Sequence, residues 1–374
     1  MSRSFFLWAS VALASSSALA AAPRYTIQLL GDLPGGITSS QGMSVNDHGV
    51  VGGQSVGTDG YFAATWTPPD QAPASLGDLP GGSVSSMVYG LNNQGVSVGT
   101  ASSSTGIRAF RTNASGQLVN LGDLPGGLNA SGAWAINQKG QVVGYSYSSA
   151  SNNNPSAVLW NEQGVATEIG DLPGGSWDSQ ARAINDHGMV AGASSSATGK
   201  HAFAWTAQGG MVDLGGLANS TSFSEAAGIN NQGWVVGYGT ATSGTLHAAL
   251  WRNGQAIDLS GGNSQLTSNA SDVNNLGVIV GQSNHKAAIW LGGVGAIDLN
   301  ALVDNGPESF SLIAALSIND LGQITGYGSN AAGQRVGYLL TEVAAVPEPA
   351  TWALALCGLA FVAAARRQQA RGQA

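Results

Sequence analysis

The chain has 374 residues, enough for two or three ordinary domains, yet only 9% of them are charged while 55 are glycine and 43% are hydrophobic. That composition excludes charge-driven disorder and long salt-bridged helices, and it fits a turn-dense β protein. The 13 basic residues are scattered singly among 21 acidic ones, for a net charge of −8, so there is no phosphate-binding surface and nucleic acid is excluded as a partner.

Residues 1–20 read as a secretory signal removed by signal peptidase: Arg3 is the positive start, Phe5 to Ala14 the apolar stretch, and Ala18-Leu19-Ala20 the cleavage site. Export follows, with a mature chain beginning near Ala21. The one cysteine, Cys357, lies in the apolar tail, so no intrachain disulfide and no cysteine-based metal site can form, and packing must supply the stability.

Residues 21–345 repeat one sequence. The pattern Asn-x-x-Gly-x-x-x-Gly occurs seven times, opening at Asn46 and Gly49, Asn92 and Gly95, Asn137 and Gly140, Asn185 and Gly188, Asn230 and Gly233, Asn274 and Gly277, and Asn319 and Gly322. A period of about 45 residues marks one supersecondary unit per repeat. Each unit carries four short apolar segments, A to D, bounded by Gly, Asn or Ser; in repeat five they are Ala226 to Ile229, Trp234 to Tyr238, His247 to Trp251 and Gln255 to Leu259.

Asn-x-x-Gly joins A to B as a tight hairpin, the Asn bonding its own turn and the Gly taking positive φ, which is a structural role. The second Gly falls inside B and predicts a close backbone approach, with the tryptophans that end C (Trp66, Trp160, Trp205, Trp251 and Trp290) as covers for the gap. Between D and the next A runs Leu-Gly-Asp-Leu-Pro-Gly-Gly, complete at Leu30 to Gly36, Leu76 to Gly82 and Leu121 to Gly127, with Ile169 opening a fourth copy. Its Pro and paired Gly specify a crossing from one sheet to the next.

Four-stranded units of this length predict an all-β fold, a seven-bladed β-propeller. The last repeat lacks a convincing D, while Tyr25 to Leu30 precedes the first crossing as a D strand would. The N-terminal strand is therefore expected to complete blade seven and remove the open edge that a solenoid or sandwich array would leave.

These repeats resemble the HAF-repeat family of bacterial extracellular proteins. The resemblance is carried by His201-Ala202-Phe203-Ala204-Trp205, by Met211 to Gly215, and by Ile-Asn-x-x-Gly at Ile136, Ile184, Ile229 and Ile318. Ala249, Arg111 and Tyr338-Leu339-Leu340 depart from its pattern. The resemblance implies an extracellular location and no established reaction.

Chemistry is sparse. His48, His187, His201, His247 and His285 show no metal-ligand or local carboxylate spacing, and no Gly-x-Ser-x-Gly elbow occurs. Asp32, Asp78, Asp123 and Asp171 of the crossings are expected to accept turn N–H bonds; calcium is the sharper alternative, without an Asp-x-Asp-x-Asp loop behind it. No catalytic residue, metal or cofactor is assigned, and the ligand-binding residues are left open. With A innermost, the D–A crossings and B–C loops share one face, where Ser146 to Ser156 and Ser283 to Lys286 differ most.

Residues 346–374 are a second address. Pro347-Glu348-Pro349 precedes an uncharged apolar run from Ala350 to Ala365, a short transmembrane helix below the roughly 20 residues of a full span, and then Arg366, Arg367 and Arg371. This tail resembles the PEP-CTERM sorting signal of Gram-negative bacteria. That resemblance implies processing by an exosortase-type protease, transient membrane anchoring, and a host that makes exopolysaccharide.

The leading expectation is an exported, cell-surface or secreted non-catalytic protein that binds or organises extracellular polysaccharide in a biofilm matrix. The alternatives are a glycan-active lyase or glycosidase on a propeller, and a purely structural surface protein.

Overall fold

A computed structural model describes residues 22–149, 154–218 and 223–343. The signal segment, Pro347-Glu348-Pro349, the apolar run that follows and the terminal arginines lie outside the described residues. Among the described residues no helix is long and apolar enough to cross a membrane.

The strands of the described residues form seven four-stranded antiparallel sheets in order A-B-C-D, six of them the four segments of one repeat. In blade 1 these are Ser40–Val45, Val51–Val56, Tyr61–Thr67 and Ala72–Gly77. The A strands line a central channel. Blade 7 takes A to C from Ser311–Ile318, Ile324–Ser329 and Arg335–Glu342, and its outermost strand is Tyr25–Leu29. The register runs from Tyr25 opposite Glu342 to Leu29 opposite Tyr338. Leu30 N then donates to Gly337 O at 2.9 Å, and Val343 N to Arg24 O at 2.7 Å. The two ends of the repeat array are thus one sheet, and the ring is closed without a covalent link.

Inside each blade the second Gly of the repeat has a specific cause. Every A strand carries a β-bulge at its centre, for example between Gly42 and Ser44 or between Ala181 and Ala183. The bulge pushes one carbonyl toward strand B. A Cβ at Gly53, Gly99, Gly144, Gly192, Gly237, Gly281 or Gly326 would lie 1.8–2.1 Å from that oxygen, so only glycine fits.

The tryptophans do not cover those glycines. Each pairs at the start of B, as Trp66 does with Val51, while the residue facing the Gly is two positions earlier in C: Ala64 in blade 1, Phe110 in blade 2, Tyr338 in blade 7. Trp66, Trp160, Trp251 and Trp290 are buried and donate Nε1–H to the carbonyls of Gly31, Gly122, Gly215 and Leu259 in the crossings, at 2.7–3.3 Å. They anchor the crossings to the sheets. Trp205 is half-buried and makes no such bond.

The paired glycines of the crossings divide their work. Gly35, Gly81, Gly126 and Gly174 have φ between +75° and +83°. A Cβ on Gly36, Gly82, Gly127 or Gly175 would lie 2.1–2.4 Å from backbone at the end of strand B. The crossings therefore pack directly against the B–C loops on one face of the disc.

In blades 1 to 6 a serine six residues before the turn asparagine, on strand A, stitches neighbouring blades. Ser86, Ser131, Ser179, Ser224 and Ser268 each accept an N–H from strand C of the preceding blade at 2.9–3.0 Å, and Ser40 accepts from Gly337 at 3.2 Å.

Candidate functional site

The opposite face is organised by the seven turn asparagines, all buried. Each Oδ1 accepts the N–H groups two and four residues on, at 2.8–3.1 Å. The Gly that follows, Gly49, Gly95, Gly140, Gly188, Gly233, Gly277 or Gly322, has φ of +72° to +82°. The asparagine Nδ2 does something that the sequence reading omitted. Asn46 donates to Asn92 O, Asn92 to Asn137 O, Asn137 to Asn185 O, Asn185 to Asn230 O, Asn230 to Asn274 O, Asn274 to Asn319 O, and Asn319 back to Asn46 O, at 2.8–3.3 Å.

A second ring runs beside it, from each following backbone N–H to the side chain of the next blade: Asp47 to Asn93, Asn93 to Gln138, Gln138 to Asp186, Asp186 to Asn231, Asn231 to Asn275, Asn275 to Asp320 and Asp320 to Asp47, at 2.8–3.1 Å. Both rings frame a cavity of about 160 Å³ at this mouth.

Behind the mouth stand Val45, Leu91, Ile136, Ile184, Ile229, Val273 and Ile318, and all of these but Val273 also line a deeper axial cavity of about 230 Å³. The deeper cavity breaks the sevenfold pattern. The A-strand residue three before each turn asparagine is Met43, Tyr89, Trp134, Arg182, Ala227, Ser271 and Leu316 in blades 1 to 7. The positions that hold blades together repeat, and this one facing the channel does not.

Blades 2 to 5 build a continuous wall from it. The Tyr89 and Trp134 rings meet edge to face at 4.3 Å, Tyr145 lies 5.9 Å from Trp134, and the Arg182 guanidinium sits 4.6 Å from the Trp134 ring. Arg182 pairs with Glu225 at 3.1 Å, and Tyr238 OH donates to Glu225 Oε2 at 3.2 Å. Burial pushes up the Tyr89 and Tyr145 hydroxyls; burial, followed by the charge of Glu225, pushes Tyr238 up to about 12. All three phenols stay neutral donors at physiological pH. Asp272 also lines this cavity, its carboxyl raised by burial against two backbone N–H bonds, from Ile318 and Val273. Trp134 Nε1 and Arg182 Nε are buried without a hydrogen-bond partner. Aromatic faces beside a neutral phenol and a guanidinium suit a ligand with an apolar ring face and a rim of oxygens.

The other candidate residues are placed differently. His48, His187 and His285 are exposed on turns. His201 and His247 are buried, and each bonds a carboxylate through Nδ1 at 2.8 Å: Asp213 and Asp258 respectively. These pairs lie 12 and 11 residues apart, beyond the local spacing a sequence motif would show, and they meet because the start of strand C opposes the end of strand D across the blade. Blade 6 places Lys286 with Asp298 in the same way, whereas in blade 2 Arg108 holds the histidine's position and pairs with Asp123 of the crossing, strand D there ending in Asn120. Among the described residues no three His, Cys, Asp or Glu side chains come together to hold a metal.

The crossing aspartates do not share one role. Asp78 accepts from Leu79 N and Ser85 N at 2.8 and 2.7 Å, Asp123 pairs with Arg108, and Asp171 accepts from Ser194 Oγ at 3.4 Å. Burial raises Asp32 and Asp171. Of the loop Ser146 to Ser156, residues 150–153 lie outside the described set, and Ser283 to Lys286 is a two-residue hairpin.

Opposite pH slopes follow for two substitutions. Asp258 is opposed by burial, yet the His247 hydrogen bond leaves its carboxyl below the usual value, so its stabilisation is present above about pH 4 and is lost as pH falls through the folded value. Asp171 is raised, so its ionised form weighs against the fold as pH rises through that value. Between about pH 3 and pH 7, Tm relative to wild type should fall for Asp258→Asn and rise for Asp171→Asn. Parallel Tm profiles would contradict both assignments.

No protein-family model and no curated protein matches this chain. Solved structures do. A mutant of puromycin hydrolase complexed with PGG is 13% identical, with 79% of this chain and 53% of that one covered and a TM-score of 0.51. A mutant of AofleA from Arthrobotrys oligospora is 13% identical over 74% of this chain and 87% of that one, TM-score 0.35. The six-bladed fucose-binding lectin of Aleuria aurantia is 11% identical over 84% and 97%, TM-score 0.34.

Proposed function

We propose that this propeller is an exported, non-catalytic surface protein of the HAF-repeat kind that binds extracellular polysaccharide through the channel wall of blades 2 to 5. One observation carries the reading: at the channel-facing A-strand position the repeat gives way to Tyr89, Trp134 and Arg182, beside Glu225 and Tyr238. A pyranoside offers C–H faces to the aromatic rings and hydroxyls to the Tyr89 phenol and the Arg182 guanidinium, which line the channel.

The terminal segments support delivery outside the cell. Arg3 to Ala20 fits signal peptidase, and Pro347-Glu348-Pro349 with Arg366 and Arg367 fits an exosortase-type protease, after which the body reaches the cell surface or the matrix.

The test is a glycan array probed with the mature protein, followed by reducing-end assays on every hit. Binding without release of reducing ends is expected, with signal reduced at least tenfold by Trp134→Ala, about 1.4 kcal/mol. Cleavage of a bound glycan would favour the lyase or glycosidase alternative, and no binding the purely structural one.

A further inference from the structure

The four anchoring tryptophans make Trp205 conspicuous. Its sequence context, His201 to Trp205, is the most complete copy of the motif, yet its indole is only half-buried and bonds no crossing carbonyl. It lines a cavity of about 360 Å³ between blades 3 and 5, on the face of the A–B turns and away from the axis. Leu159 and Met189 complete the apolar floor; Lys139, His187 and Gln208 stand around it.

The charge of this cavity opposes that of the molecule. The chain carries 21 acidic residues and a net charge of −8, and the residues lining the cavity include Lys139 and no carboxylate. The nearest acidic neighbour in sequence, Asp186, belongs to the axial ring, where its two oxygens accept from Gln138 N and Asn231 Nδ2. A tryptophan face, a lone ammonium and side-chain amides, with acidic groups excluded, match a sugar ring that bears a carboxylate.

We infer that this cavity is a second polysaccharide site, specific for uronic acid residues: the pyranose C–H face stacks on Trp205, the carboxylate meets Lys139, and ring hydroxyls bond the Gln208 amide and Gln232 Oε1, Gln232 Nε2 being committed to Asn275 O at 3.1 Å. The inference rests on the reading of the protein as a polysaccharide binder, and it adds a location and a sugar class. A second site away from the axis would let one molecule hold two chains, which is how a small protein cross-links a matrix.

The test titrates the mature protein with hexamers of β-1,4-mannuronate and α-1,4-galacturonate, and with the neutral hexamer of β-1,4-mannose, following heat and tryptophan fluorescence. At least one uronate hexamer should bind, the neutral hexamer at least about tenfold more weakly, with affinity for the uronate falling as salt is raised. Trp205→Ala should weaken uronate binding at least about tenfold and Trp205→Phe far less, while Lys139→Gln should remove the salt dependence. Lys139 is exposed on a turn, so that variant leaves the fold intact.

Failure of both uronates to bind, equal binding of the neutral hexamer, or indifference to Trp205→Ala would overturn the inference. If uronate binding survives Trp205→Ala and is lost in Trp134→Ala, the channel reading stands and this one falls. Uronate binding that is lost in Trp205→Ala and kept in Trp134→Ala is the expected result, and the channel reading fails alone if no glycan then loses affinity in Trp134→Ala.

Discussion

Deletion of Tyr25 to Leu30 is expected to lower stability by at least about 5 kcal/mol, close to the whole margin of a typical domain. The segment supplies the outer strand of blade 7, paired over five residues from Tyr25 to Leu29. Tyr25 and Leu30 are each only 2% exposed; Leu30 packs with Trp66 and Leu339, so its loss uncovers blades 1 and 7 together. Arg24, which pairs with Asp304 and donates to Ala301 O at 2.8 Å, ties the same strand to the connection after blade 6. The truncated protein should aggregate through the exposed edge of Arg335–Glu342, and a peptide of residues 24–30 should restore Tm by adding the strand in trans. An unchanged Tm would mean that the ring does not depend on this closure.

Asn185 separates the turn from the ring. Asn185→Asp keeps the oxygen that accepts from His187 N and Met189 N, but it removes the Nδ2 donor to Asn230 O at 3.0 Å and sets a carboxylate against that carbonyl in a buried position. Loss of a buried donor together with burial of a charge costs about 2–4 kcal/mol. Asn185→Asp should therefore be as damaging as Asn185→Ala, which forfeits both functions. Were the asparagine only a turn residue, Asp would be tolerated, since both side chains serve equally in that role. Urea unfolding of the three proteins decides between them.

The blade count, the four strands per repeat and the N-terminal closure were legible because they are local properties repeated seven times. The serine of the stitches also recurs, six residues before the turn Asn from Ser40 to Ser268 with Ile313 in its place in the last blade, but its role is not legible because its partner N–H belongs to the preceding blade. Other features depend on what lies across a sheet. The strand-B glycines could be seen to need a close approach, but the bulged carbonyl that causes it belongs to strand A. His201 and Asp213 meet because two strands run antiparallel, at a separation set by the C–D turn. Trp205 is spelled like its four relatives, and only its surroundings leave it uncovered. The channel wall was hidden in the same way. Tyr89, Trp134 and Arg182 look like unremarkable strand residues until the A strands are known to face one axis.

The division between repeated structural positions and an unrepeated channel position is tested most directly by titrating a bound glycan against two sets of single variants. One set alters Tyr89, Trp134 and Arg182 to Ala; the other alters Met43, Ser271 and Leu316, which occupy the same position in blades 1, 6 and 7. All six lie in the channel wall at equivalent places in the fold, so the second set controls for a general disturbance of the channel, and the Tm of each variant is measured beside its affinity. Affinity should fall at least about tenfold in the first set and change by less than about threefold in the second. Equal effects from both sets, or no effect from the first, would contradict a binding site built on blades 2 to 5.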